Sequence, residues 1–166
     1  GLVSPIYASS ASGFPLTMQI KQTRFKVIFL DIGLVQHALK IDPETIFEKD
    51  IIQINRGAIA EQFVGQEILA YTDPHTEGQL FYWQREKKTS DAEIDYLYTI
   101  GSQILPIEVK AGPFGRLKSL NQFMTEKKSP LGILISQNPL SFKNNILTVP
   151  FYLISYLPIL LKKLLK

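Results

Sequence analysis

Glu93-Ile94-Asp95-Tyr96-Leu97-Tyr98, a break at Gly101-Ser102, then Ile104-Leu105-Pro106-Ile107-Glu108-Val109-Lys110: the reading of this run decides the fold. Both arms are rich in β-branched and aromatic residues, and the break between them has turn chemistry, so the run reads as two strands of a hairpin. Side chains alternate along a strand. Glu108 and Lys110 therefore share one face and Ile107 and Val109 the other, while Glu93 and Asp95 share a face opposite Ile94 and Tyr96. If Gly101-Ser102 forms a two-residue turn, Asp95 falls directly across from Glu108.

Like charges facing each other across a sheet are destabilising. A divalent cation between Asp95 and Glu108 would remove the repulsion, and their hard oxygen donors suit Mg²⁺ or Mn²⁺. Lys110 offers a second route, since it can neutralise the acids with no metal. It can equally bind a phosphate and favour deprotonation of a water. On pattern alone, two acids and a lysine on neighbouring strands more often make an ion-paired surface.

Outward from the hairpin, residues 55–71 read as a helix with Asn55 as its N-cap. Gly57, Ala60, Val64 and Ile68 recur at helical spacing, and Glu61 lies against that stripe among small residues that permit close approach to a sheet. Leu80-Phe81-Tyr82-Trp83 reads as a strand whose aromatics belong to the core. Residues 115–128 form a helix with Leu117, Leu120, Phe123 and Met124 on one face, and Leu131-Gly132-Ile133-Leu134-Ile135 is apolar enough for a strand buried on both sides. Residues 146–149 add a strand and 151–166 a terminal helix with a basic end. The order is helix, three strands, helix, strand: an α/β fold with a mixed β-sheet flanked by helices.

The beginning of the chain is less regular. Residues 1–23 carry Ser9-Ser10-Ala11-Ser12-Gly13-Phe14-Pro15 with no steady period and read as a loop or linker from an upstream region. Residues 24–50 read as a small extension: strand Phe25-Lys26-Val27-Ile28-Phe29-Leu30, a helix capped by Asp31, and a second short helix opening at Asp42-Pro43. The remaining domain spans 51–166.

Composition narrows the function classes. The chain has no cysteine, which excludes disulfide frameworks, thiol catalysis and cysteine-ligated zinc. His37 and His75 stand too far apart in sequence for a metal-binding spacing and read as surface or loop residues. The net charge of +3 does not announce a nucleic-acid protein. Arg85, Lys87, Lys88, Lys110, Arg116, Lys118, Lys127 and Lys128 cluster in the middle third, which reads as a solvated surface of mixed sign ahead of the alternative, a dedicated phosphate-binding face. The chain opens on Gly1 without signal-peptide features and reads as part of a longer protein. Its most apolar stretch, 146–161, is short for a membrane span and holds Pro150 and Pro158, so no membrane partner is expected.

Asp95, then twelve residues, then Glu108-Val109-Lys110, behind a helix bearing Glu61, resembles the PD-(D/E)XK nuclease superfamily. The wider text resembles the DUF4143 domain, found at the C-terminus of many bacterial and archaeal AAA-type ATPases. The likeness rests on Gly57-Ala58-Ile59-Ala60-Glu61-Gln62-Phe63-Val64, Leu80-Phe81-Tyr82-Trp83-Gln84-Arg85, Ala92-Glu93-Ile94-Asp95-Tyr96-Leu97, Pro106-Ile107-Glu108-Val109-Lys110 and Leu117-Lys118-Ser119-Leu120. It implies a restriction-endonuclease-like fold with an α-β-β-β-α-β core and Glu61, Asp95, Glu108 and Lys110 at the active-site positions. Asp95 and Glu108 would be the metal ligands. Ile94 stands where the superfamily often has proline.

Two functions follow. The first is metal-dependent phosphodiester hydrolysis of DNA, in a cytoplasmic protein whose upstream ATPase domain binds the ATP; no GxxxxGK[ST] occurs in these residues. The second is a catalytically inactive regulatory or partner-binding module of the same ATPase.

Overall fold

A computed structural model describes residues 2–40, 49–72, 78–85, 92–112 and 116–165, leaving out the side chains of 49–55. The expected helix at Asp42-Pro43, and His75, Lys87, Lys88 and Gly115, lie outside the described residues.

Eight strands form one mixed sheet: β1 (Val3–Ser9), β2 (Ile20–Phe29), β3 (Phe81–Gln84), β4 (Glu93–Ile100), β5 (Gln103–Val109), β6 (Gly132–Ser136), β7 (Ser141–Lys143) and β8 (Ile146–Pro150), in the spatial order β2-β1-β3-β4-β5-β6-β8-β7. The helices are α1 (Ile32–Ala38), α2 (Lys49–Ala70), α3 (Lys118–Lys127) and α4 (Leu157–Leu164). The expected α-β-β-β-α-β order runs from α2 to β6. Beyond it, α3 links β5 to β6 as parallel neighbours.

The β4–β5 hairpin has the expected register. Ile100 pairs with Gln103 around Gly101-Ser102, and Tyr96 pairs with Ile107. Gly101 takes φ +57°, a conformation that a side chain would resist. The outer hairpin, β7 with β8, closes through Asn144 and Asn145 at φ 52° and 59°, the two positive values that a tight turn of this twist requires. This three-residue strand has no counterpart in the sequence reading.

Residues 2–23, read from the sequence as a loop or linker, hold a strand and a 3₁₀ turn. β1 lies inside the sheet, antiparallel to β2 and parallel to β3, and Leu16–Gln19 form a 3₁₀ turn with Leu16 buried. Its side-chain pattern hides the strand, because Val3, Ser4 and Pro5 are exposed and only its second half is buried. The strand expected at Phe25 begins already at Ile20, as β2, and is tied to α2: the side-chain amides of Gln62 and Gln66 both donate to the Phe29 carbonyl, at 3.1 and 2.9 Å. Asp31 caps α1 by accepting from the Gly33 N–H at 2.7 Å. Asn55 does not cap α2, which already runs from Lys49. The C-terminal helix is preceded by a 3₁₀ segment, Phe151–Tyr156.

Each face of the sheet carries its own core. Val64 and Ile68 of α2, with Ile154, Leu157 and Leu161, pack on Tyr96, Ile107, Val109, Ile133 and Ile135. Leu120 and Phe123 of α3 pack on Trp83, Ile94 and Leu97 of the other face. Trp83 and Tyr82 are buried, as core aromatics should be, and Trp83 meets Phe123 edge-on at 5.1 Å.

Strict alternation fails at one point on β4. Ile94 and Tyr96, expected on one face, belong to opposite cores. The β3–β4 ladder pairs Phe81 with Leu97 but Trp83 with Ile94, so Asp95 and Tyr96 together oppose Tyr82. That extra residue is a β-bulge, which re-aims side chains at the point where it occurs.

Candidate functional site

The bulge sits where β4 and β5 stop pairing. One step beyond the Tyr96–Ile107 pair, the Asp95 side chain takes over: its Oδ2 accepts from the Val109 N–H at 2.7 Å. Glu108 of β5 is buried, at 6% exposure, and its Oε1 lies 2.5 Å from the Lys110 Nζ. Its other oxygen, Oε2, is buried with no hydrogen-bond partner. A buried carboxylate oxygen left unpaired costs on the order of 1–3 kcal/mol, more when charged, so it calls for an explanation. Lys110 is held at the end of β5 by its own N–H, which donates to the Ile135 carbonyl of β6 at 2.9 Å.

Glu61 reaches the cluster from α2. The Tyr96 hydroxyl donates to the Glu61 backbone carbonyl at 2.7 Å, fixing that turn of the helix over the bulge. Close approach is possible because Gly65 stands one turn on, where an added Cβ would come within 2.7 Å of both the Tyr96 hydroxyl and Ile28 Cδ1. The structure thus brings Glu61, Asp95, Glu108 and Lys110 into one electrostatic neighbourhood, each of the first two acids feeling the charge of Glu108.

Two further residues join the cluster, Lys26, which has no signature in the sequence, and Glu93, expected on the Asp95 face of β4. Lys26 of β2 ion-pairs with Glu93, lies 3.9 Å from Glu61 Oε2, and stands 5.0 Å from the centre of the Tyr82 ring. A single lysine in a strand gives no signal of its own, and its partners become visible only once β2 is known to belong to the sheet. Tyr96 had a faint signal: a polar-tipped aromatic beside Asp95, matched by a glycine in the facing helix.

The protonation states follow from crowding. Burial, then the charges of Glu61 and Glu108, push the Asp95 carboxyl up to about 7, against the pull of the Val109 N–H and Lys26. Burial also raises Glu61, with Glu93 and Glu108 adding to it and Lys26 and Lys110 opposing. Burial would lower Lys26 and Lys110, but the hydrogen bond and charge of Glu93 for the first, and of Glu108 for the second, hold both above the usual lysine value. Tyr96 is raised by burial, then by Glu61 and Asp95, and stays a donor.

A family model described as Domain of unknown function (DUF4143) matches residues 56–154, well over half of the chain. The chain belongs to the DUF4143 family. All four expected site residues fall inside the matched part of this DUF4143 domain, whereas Lys26 lies before it. No curated protein and no solved structure matches the chain.

The donor set fits a hard divalent cation in part. Asp95 and the unpaired Oε2 of Glu108 are oxygen donors of the right kind. Among the described residues, no group of three or more histidine or acidic side chains is arranged to hold a metal. No described helix is long and apolar enough to cross a membrane.

Proposed function

We propose that this DUF4143 domain is the nuclease-like C-terminal part of a cytoplasmic AAA-type ATPase, with a restriction-endonuclease-like fold, and that it hydrolyses phosphodiester bonds in DNA with Mg²⁺ or Mn²⁺. The observation that carries the reading is an imbalance of charge. Glu61, Glu93, Asp95 and Glu108 stand against Lys26 and Lys110, four acids to two bases, and the surplus falls on Asp95 and on the orphaned oxygen of Glu108. A structural ion-pair network has no reason to leave that surplus in place, because buried unpaired charge is costly.

Asp95 and Glu108 would hold the ion, with water completing its shell as Mg²⁺ prefers. Bound there, it supplies positive charge to a phosphate oxygen and lowers the pKa of an attacking water. Glu61, fixed through Tyr96, accepts a hydrogen bond from that water and orients it. The Lys110 ammonium faces the phosphate and stabilises the charge that builds up as the water–phosphorus bond forms and the bond to the leaving oxygen breaks. Lys26 keeps Glu61 and Glu93 together on the far side. ATP would bind in the upstream domain.

One observation favours a catalytically silent regulatory or partner-binding module: Lys26 and Lys110 already pair with Glu61, Glu93 and Glu108. Supercoiled plasmid incubated with the protein and Mn²⁺ separates the two. Metal-dependent nicking that is lost in Glu108→Gln supports the nuclease, and intact plasmid at every divalent ion tried supports the silent module.

A further inference from the structure

The terminal segment has a charge character unlike the rest. After Glu126 the chain carries no acidic residue but six lysines, at 127, 128, 143, 162, 163 and 166. The first 126 residues therefore hold 12 basic and 15 acidic residues, a net −3, and the last 40 hold +6, which together give the +3 of the whole chain. The acid cluster and the basic segment are opposite poles of one sequence.

The fold displays part of that segment on a single surface. β8 runs directly into the 3₁₀ segment Phe151–Tyr156 and then α4, a rod that packs beside α2 on one face of the sheet. Ile154, Leu157 and Leu161 bury one side of the rod. At about 120° per residue in the 3₁₀ part and about 100° in the helix, Tyr152, Tyr156, Ile159, Lys162 and Lys163 fall on the opposite side. All five are exposed, Tyr152 at 79% and Tyr156 at 55%. Among the described residues, Glu67 lies on α2 beside the rod, where it accepts from the Tyr71 hydroxyl at 2.5 Å.

Two large, mostly exposed tyrosines in a setting that is otherwise cationic are a poor choice for a solvated surface. They suit a partner that offers flat rings and negative charge together. We infer that the Tyr152–Lys163 side of this rod is a docking surface for single-stranded nucleic acid, with Tyr152 and Tyr156 stacking on unpaired bases and Lys162 and Lys163 on the phosphates. An acidic protein would use the lysines but not the exposed ring faces. Duplex nucleic acid keeps its base faces covered. The inference does not depend on the cleavage reading, because binding needs no metal.

The test is fluorescence anisotropy of a labelled thymidine oligonucleotide with the whole chain in EDTA, where metal-dependent cleavage cannot interfere. Two phosphate contacts give a slope of log affinity against log salt of about −1.4. Lys162→Glu with Lys163→Glu is expected to weaken binding at least tenfold, and Tyr152→Ala with Tyr156→Ala similarly, while Lys40→Glu on α1's far end leaves it unchanged. Melting curves confirm that the variants fold, as these exposed side chains predict; Tyr152→Phe, which keeps the ring, should restore binding lost in Tyr152→Ala. No binding by the parent protein at low salt overturns the proposal, as do full affinity in both double variants, tighter binding of the matching duplex, or a charge effect with no effect of the tyrosines.

Discussion

The carboxylate of Asp95 stands in for a strand: where the β4–β5 ladder ends, Oδ2 accepts from the Val109 N–H at 2.7 Å, as the next carbonyl would have done. This bond holds an acid beside Glu108 although both would be more stable apart. It also makes Asp95 the group whose charge the fold least tolerates.

Stability should therefore fall as pH rises through neutrality. The folded Asp95 carboxyl titrates at about 7, against 3.8 for the ordinary group. Between those values the folded state binds more protons than the unfolded one, so the melting temperature declines from about pH 4 to 8. Glu61 is raised too and acts in the same direction, whereas both lysines, raised above 10.5, contribute evenly over this window. Asp95→Asn keeps an acceptor for Val109 and removes the charge. It should stabilise the protein at pH 8 by about 2–4 kcal/mol and flatten the profile. Denaturant melts at several pH values check this; an unchanged profile would mean that Asp95 is not crowded.

Lys110→Met divides the two functions. In an active nuclease it removes charge stabilisation from the transition state, about 3 kcal/mol or at least a hundredfold in rate. It also strips the partner from the buried Glu108, so some stability loss follows in either case; with Lys110 a third exposed, about 1–3 kcal/mol is reasonable. A parent without nuclease activity, combined with the full stability loss, identifies Lys110 as the counter-charge of a silent module.

Lys26→Met tests whether the N-terminal hairpin is part of the site. The pairs with Glu61 and Glu93 are about a third exposed, so the stability cost should be small, about 1 kcal/mol or less. The electrostatic effect should be clearer. With a nearby positive charge gone, the Asp95 carboxyl should titrate higher still, visible in a carboxyl-carbon NMR titration, and Lys26→Arg should restore it. No movement of that titration would leave Lys26 a surface residue.

Two glycines of α2 should respond in opposite directions. Gly65→Ala drives a methyl against the Tyr96 hydroxyl and Ile28 and should cost about 1–3 kcal/mol, loosening Glu61 as Tyr96 is displaced. A Cβ on Gly57 meets nothing within 4 Å, so Gly57→Ala should gain about 0.5–1 kcal/mol from helix propensity. Thermal melts of both variants read the contrast directly.

The contrast between local and distant signals explains how much could be read in advance. The β4–β5 register was legible because a two-residue turn at Gly101 fixes it, and α2, α3 and the buried β6 were legible through period and apolar content. So was the convergence of Glu61, Asp95, Glu108 and Lys110. β1 was not, because half of it is exposed and its Ser4, Pro5 and Ser9 carry no strand pattern; only pairing on both edges makes it a strand. The bulge at Asp95 was invisible for a similar reason, since it appears only when β3 is laid against β4. Lys26 needed both facts, being on a strand that β1 brings into the sheet.

Whether Asp95 and Glu108 form the proposed divalent-ion site for DNA hydrolysis is decided most directly by one titration. Isothermal calorimetry with Mn²⁺ near pH 7, run on the parent and on Asp95→Asn in buffers of different ionisation heat, is paired with plasmid cleavage on the same samples. The account predicts weak binding by the parent with release of a proton from Asp95, nicking that depends on the ion, and loss of both in the variant. Equal heats from the two proteins, or nicking that survives Asp95→Asn, would contradict it.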